Sequence, residues 1–212
     1  MARHGQTQWN VEGRWQGSTD IPLDHVGTLQ AQLLAERLKK HPIRAIYSSP
    51  LMRASATAEM AAKKLGLEVK YHDGLKEIYL GKWEGLNVND IIMNYPEELA
   101  KWESDGKTQE DLDIESNIDA QARGHAALLE ICEAEKRDTL IVSHGGIINR
   151  LICWLLRIPL KHRQNFRIQN TGLCILECFF SDDEPRFQVV TLNDYSHLHT
   201  SENGEGLALT TI

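Results

Sequence analysis

Apolar positions recur along this chain with two periods, and stretches of one period alternate with stretches of the other. Over residues 26–40, Leu29, Leu33, Leu34 and Leu38 fall at helical spacing, which predicts a helix with one buried face. Residues 44–48 read as a short apolar strand. Ser49-Pro50 then offers an N-cap followed by proline at a first helical position, and the helix is expected to reach about Leu65, where Gly66 stops it. Ser116 opens a long helix to about Arg137, with Asp119 placed to complete a capping box. Residues 139–142 form a buried-strand run, 147–156 the next helix, ending before Pro159, and 172–180 and 187–192 further strands. Strands alternating with helices predict an α/β fold, a three-layer α/β/α sandwich around a largely parallel central sheet. Residues 81–115, with Trp83, Tyr95, Pro96, Trp102 and many acids, break the alternation and predict a helical insertion over one end of the sheet. One domain is expected over residues 1–212, with a flexible Gly-, Glu- and Thr-rich tail after about residue 199.

Composition fits this picture: 42% hydrophobic and 25% charged residues in a chain of 212 are enough for a substantial core. The net charge of -7 argues against nucleic acid as a partner, although a local arginine cluster outweighs a weak global field. The longest apolar stretch, residues 151–156, is too short to span a membrane, and no apolar signal segment opens the chain. Cys132, Cys153, Cys174 and Cys178 form no C-x-x-C pair, which reads as free thiols in a reducing, cytoplasmic setting. Cys174 and Cys178 fall on one face of a strand.

Three polar clusters fall at element boundaries: Arg3-His4-Gly5-Gln6-Thr7 with Trp9-Asn10, Arg53 near the start of its helix, and Ser143-His144-Gly145-Gly146 directly after a strand. In open α/β sheets the ligand crevice lies beyond the carboxyl ends of the strands. Arginine is a permanent cation whose planar fork matches phosphate oxygens, and glycines beside His4 and His144 let backbone approach an anion. A neutral histidine can attack phosphorus, and a leaving alkoxide needs a proton. Glu77, just before Gly81-Lys82-Trp83-Glu84-Gly85, is the candidate acid. Each residue alone has a plainer reading: His4 as a surface residue, His144 as a satisfied histidine at a strand end, Arg53 as a solvated helix charge, Glu77 as surface. The chemical reading rests on all four occurring in this order. His197 and His199 are spaced like metal ligands, but no third ligand stands nearby, and no metal is expected. Tyr79, Trp83 and Trp102 read as core, or as the lining of a substrate lid.

These residues resemble the histidine phosphatase superfamily, the phosphoglycerate mutase-like proteins, from Arg3 to about Leu198. The resemblance is carried by Arg3-His4-Gly5-Gln6-Thr7-x-x-Asn10, Gln16-Gly17, Asp20-x-Pro22-Leu23, Ser48-Ser49-Pro50-Leu51-x-Arg53-x-x-x-Thr57-Ala58, Glu77-x-x-x-Gly81-x-Trp83-Glu84-Gly85 and Ser143-His144-Gly145. It implies His4 as the phosphorylated nucleophile, Arg3, Arg53 and His144 as phosphoryl-binding groups, and Glu77 as proton donor and then base. Asn10, Gln16, Gly17 and Gly145 would border the substrate. No cofactor is implied, and a homodimer is allowed. The family places a full hydrophobic strand before Arg-His-Gly, where here Met1 and Ala2 precede Arg3, and a Gly-Glu-Ser triplet where here stands Ile114-Glu115-Ser116. His144 follows Glu77 by 67 positions, short for a mutase of the family, which favours water as acceptor. The expected partner is a small phosphorylated metabolite, with α-ribazole 5′-phosphate, phosphoserine and phosphoglycerate as candidates by resemblance. Phosphoglycerate mutase, a catalytically silent binding protein on the same fold and a metal-dependent hydrolase are the alternatives.

Overall fold

A computed structural model of the chain describes residues 1–104, 113–180 and 185–199. Six strands form one sheet: β1 (Ala2–Arg3), β2 (Ala45–Ser48), β3 (Val69–Tyr71), β4 (Thr139–Ser143), β5 (Leu173–Phe179) and β6 (Arg186–Asp194), in the order β3-β2-β4-β1-β5-β6. The first four in that order run parallel, while β5 and β6 are antiparallel additions. After the short α1 (Gln8–Val11), α2 (His25–Leu38) and α3 (Met52–Leu65) cover one face. The insertion contributes α4 (Val88–Asn94) and α5 (Pro96–Ser104), and α6 (Asn117–Ala134) and α7 (Gly145–Leu155) cover the other face.

Burial on both faces explains why the central strands read as continuous apolar runs. Along β4, Leu140 and Val142 pack with Leu34, Ile46 and Ala58 beneath α2 and α3, while Ile141 packs with Leu128 and Ile131 beneath α6. β1 is two residues long, yet it sits at the centre with a partner on each side. The pairing extends beyond it: the Met1 ammonium donates to the Cys174 carbonyl at 2.7 Å, Cys174 N donates to Met1 O at 2.8 Å, and His4 N donates to Ser143 O at 3.0 Å.

Two helix boundaries differ from expectation. Ser49-Pro50 does not open α3, whose N-cap is Leu51 with no side-chain cap; Ser49 Oγ instead accepts from Leu51 N at 3.3 Å and meets His144 Nε2 at 2.8 Å. α6 stops at Ala134 rather than Arg137, since Glu135 leaves helical geometry and binds Lys70 and Arg137. Ser116 caps α6 by accepting from Asp119 N at 2.9 Å, but Asp119 accepts from the Ser116 hydroxyl at 2.6 Å, so the expected box is not closed through backbone. Gly66 ends α3 in the left-handed conformation, as expected of a helix stop.

In the insertion, Trp83 and Trp102 stack edge to face at 5.6 Å, Trp15 joins them, and Ile91, Leu99 and Ile114 close a second core that rests on Ile147 and Leu151 of α7. Ile114, where the family's glycine would stand, is fully buried here. The four cysteines are free thiols. The tail after residue 199 lies outside the described residues, as does part of the insertion.

Candidate active site

A cavity of about 430 Å³ opens at the carboxyl ends of β1, β2 and β4, lined by Arg3, His4, Asn10, Gln16, Gly17, Arg53, Glu77 and Gly145 among others. His144 stands against it, its ring centroid 5.1 Å from that of His4. The residues singled out in sequence therefore meet in one place. A larger cleft of about 1200 Å³, beside Trp154 and Arg157, contains none of them.

His4 is 2% exposed. Its Nδ1 lies 2.7 Å from the Gly5 carbonyl, which can only accept, so Nδ1 carries the proton and Nε2 keeps a free lone pair. Burial, then Arg53 and Arg3, hold its pKa well below the ordinary histidine value and keep the ring neutral. The loop beneath it is pinned from several elements. Gly5 N donates to Thr57 Oγ1 at 3.0 Å, and Thr57 donates to Arg53 O at 2.7 Å. Asn170 Nδ2 and Thr171 N supply donors to the His4 and Arg3 carbonyls, each at 3.0 Å. The glycine at position 5 serves this packing rather than anion approach: a Cβ there would meet the Gly27 backbone of α2 within 3.0 Å.

The cations have few partners. Arg53, fully buried, donates to the Thr19 and Gly17 carbonyls at 2.8 and 2.7 Å, and its Nε has none. Arg3 donates to Ile168 O at 2.7 Å, its Nε likewise has none, and burial pulls its pKa down to about 10 against the opposing pull of Glu77. His144 is buried, with its pKa also depressed well below the ordinary value by burial and then Arg53. Ser49 Oγ accepts from Leu51 N at 3.3 Å; when it donates to His144 Nε2, the His144 Nδ1–H faces no protein acceptor.

Glu77 sits over the start of α7. Its oxygens accept from Gly146 N at 3.0 Å, Ile147 N at 3.1 Å and Ile78 N at 3.0 Å. Position 146 is glycine because a Cβ would stand 2.9 Å from the Glu77 carboxyl carbon. Asn10 lines the cavity, but its Oδ1 is spent on Thr7 N at 3.1 Å and Asn170 Nδ2 at 3.3 Å, so it braces the loop. The Gln16-Gly17 loop is tethered by Glu84, which accepts from Ser18 N at 2.8 Å, Leu80 N at 3.1 Å and the Thr19 hydroxyl. Sequence reasoning assigned no role to Thr57, Glu84, Asn170, Arg150 or Arg163. Thr57 and Glu84 lay inside recognisable motifs, whereas the other three carried no local signal. His197 instead packs against Thr171, its Nε2 3.0 Å from Oγ1.

A family model described as the histidine phosphatase superfamily, branch 1, matches residues 1–194. The chain belongs to this superfamily. Among its relatives, phosphoserine phosphatase 1 of Hydrogenobacter thermophilus is 32% identical over 199 residues, covering 93% of this chain and 92% of that one. A probable phosphoglycerate mutase of Escherichia fergusonii is 32% identical over 203 residues, with 93% of each chain covered. The solved structure of a mycobacterial glucosyl-3-phosphoglycerate phosphatase in complex with VO3 superposes with a TM-score of 0.81 at 31% identity, over 91% of this chain and 97% of that one. The six-stranded, mostly parallel α/β fold of this histidine phosphatase is thus that of phosphoglycerate mutase-like phosphatases. Among the described residues no helix is long and apolar enough to cross a membrane.

Proposed function

We propose that this histidine phosphatase is a phosphoric monoester hydrolase acting on small phosphorylated metabolites, with His4 as the nucleophile. The observation that carries the proposal is the 2.7 Å contact from His4 Nδ1 to the Gly5 carbonyl, which aims an unprotonated Nε2 at a cavity flanked by Arg3 and Arg53. In the first step the Nε2 lone pair forms a bond to phosphorus while the ester P–O bond breaks. Glu77 passes a proton to the departing oxygen and recovers one from water in the second step. The phosphorylated ring is then a cation, and its Nδ1–H donates more strongly to Gly5 O. Arg3, Arg53 and His144 receive the charge spread over the phosphoryl oxygens. In the second step water attacks phosphorus, Glu77 takes its proton, and phosphate leaves with His4 restored. Gln16, Gly17 and Gly145 border the bound ester, and Asn10 holds the loop that carries His4.

Named relatives support water as the acceptor, since phosphoserine and glucosyl-3-phosphoglycerate phosphatases are among them. The relative named a probable phosphoglycerate mutase keeps a second sugar-acid hydroxyl as the rival acceptor. The four free cysteines accord with a reducing, cytoplasmic setting. The test is His4→Ala assayed on p-nitrophenyl phosphate, with 3-phosphoglycerate run in parallel for free phosphate and for mutase turnover. Loss of turnover in the variant, with phosphate release by the unaltered protein and no effect of EDTA, is expected. Full activity without His4 would overturn the proposal, and mutase turnover exceeding phosphate release would replace water by a hydroxyl.

A further inference from the structure

The backbone of His4 is fixed by a turn that is itself held in an unfavourable conformation. Thr171, just before β5, has φ at 57°, in the left-handed region. A β-branched residue there is an outlier, because its Cβ crowds the backbone. Such a conformation persists only where the surroundings over-determine it. Here it has a use. Thr171 N donates to Arg3 O at 3.0 Å and is shared with His4 O at 3.3 Å, while Asn170 Nδ2 donates to His4 O at 3.0 Å. On their other sides, His4 N donates to Ser143 O at 3.0 Å and Gly5 N to Thr57 Oγ1 at 3.0 Å. Both peptide groups that flank His4 are therefore gripped, the first between this turn and β4, the second between this turn and α3.

What holds the turn comes from residues 193–198. His197 is buried, with Nε2 3.0 Å from Thr171 Oγ1. The Thr171 hydroxyl donates to the Asn170 carbonyl at 2.7 Å, which can only accept, so Oγ1 accepts and His197 Nε2 donates. Asn193 Oδ1 accepts from Gln169 N at 2.7 Å, and a Cβ at position 172 would collide with that same oxygen, which leaves room for glycine alone. The stretch is anchored on α2, where Arg37 pairs with Asp194 and donates to Ser196 Oγ at 2.8 Å. His197 itself does not line the cavity.

We propose that His197 is a positioning residue for phosphoryl transfer at His4, acting through Thr171. Its Nε2–H fixes the Thr171 side chain, the fixed side chain holds the left-handed backbone, and that backbone aims Thr171 N–H at the Arg3 and His4 carbonyls. This rests on the reading of His4 as nucleophile and adds to it a residue that never touches the substrate. Losing the bond lets Thr171 relax towards negative φ, turns its N–H away and frees the segment that carries His4. The attack tolerates such a shift far less than binding does, because Nε2 must stand in line with the P–O bond that breaks.

The test is a double-mutant cycle assayed on p-nitrophenyl phosphate, with urea unfolding alongside. His197→Ala is expected to lower kcat by about tenfold or more while KM changes by less than about threefold, and His197→Gln, whose amide still donates, to recover most of the loss. In Thr171→Gly, where the left-handed backbone carries no penalty, His197→Ala should lower kcat little further. Full kcat in His197→Ala overturns the inference. So does the same fractional loss in both backgrounds, which would mean that the histidine only anchors the carboxyl-terminal stretch. Where His197→Ala does not fold, Thr171→Val decides, since it keeps the branched shape and removes the acceptor: it should lose kcat as His197→Ala would, and an unchanged kcat overturns the inference. These outcomes leave the role of His4 standing, whereas full activity in His4→Ala removes both readings together.

Discussion

Replacing Gly146 with alanine should displace Glu77 and leave the phosphoryl-binding groups where they are. A Cβ at this position would stand 2.9 Å from the Glu77 carboxyl carbon and 3.0 Å from Oε2, closer than van der Waals contact allows, and nearer still to Oε1. The carboxylate must therefore turn away from the Gly146 and Ile147 N–H groups it now meets at 3.0 and 3.1 Å. Each bond to a charged group is worth roughly 1.5–3 kcal/mol when nothing replaces it. Glu77 is half-buried, so water recovers part of that loss, and alanine in a helix returns up to about 1 kcal/mol over glycine. The balance is a destabilisation of about 2 kcal/mol. Catalysis should suffer far more, because a misplaced general acid forfeits about 10²–10⁴ in rate. The loss falls on esters whose leaving alkoxide needs the proton. The assay is kcat/KM, which reports the phosphorylation half-reaction, on glycerol 3-phosphate and p-nitrophenyl phosphate, with urea unfolding in parallel. The alkyl ester should lose at least about a hundredfold and the nitrophenyl ester much less. An unchanged alkyl rate in a folded Gly146→Ala protein, or equal losses on both esters, would refute the role given to Glu77.

Thr57→Val keeps shape but removes the oxygen that accepts from Gly5 N at 3.0 Å. The buried N–H left unpaired should cost about 1–3 kcal/mol in urea unfolding, and kcat should fall because the Gly5 carbonyl that orients His4 loosens. Acid should also destabilise the protein before its carboxylates titrate. His4 and His144 have folded-state pKa values depressed well below 6.5, so below that pH the unfolded chain binds more protons and stability falls as pH falls. Two such groups give a slope approaching about 2.7 kcal/mol per pH unit beneath that value. Carboxylates held low by their cations, Glu135 at about 2 among them, contribute only at lower pH. Urea midpoints that stay flat from pH 7 to pH 5 would contradict buried neutral histidines.

What the sequence made legible was governed by local rules. Helical and buried-strand periods located the layers, and Gly66 ended α3 where its backbone freedom was needed. His4, Arg53 and His144 were legible as a set because each follows a strand, and strand ends in this architecture converge. What escaped depended on distant pairings. Ser49-Pro50 reads as a helix start in isolation, but His144, 95 residues away, takes the Ser49 hydroxyl. The role of Glu84 depends on Ser18 and Thr19, 66 and 65 residues earlier. Arg150 and Arg163 are ordinary cations in sequence, and only the placement of Trp102 by the insertion makes them neighbours.

The electrostatics of the pocket tie binding to reactivity. Arg3 and Arg53 form no direct ion pair among the described residues, and after burial their charge is what depresses the His4 pKa. The same charge attracts the dianionic ester. A single arrangement thus keeps the nucleophile neutral before the substrate arrives and offsets the substrate's charge afterwards. Pairing either arginine permanently with a protein carboxylate would weaken ester binding and let His4 protonate more readily, so both halves of the function would be lost together. On this reasoning the lack of a direct ion pair to Arg3 or Arg53 among the described residues is a requirement of the chemistry, and Glu77, engaged by backbone N–H groups, acts on both only at longer range.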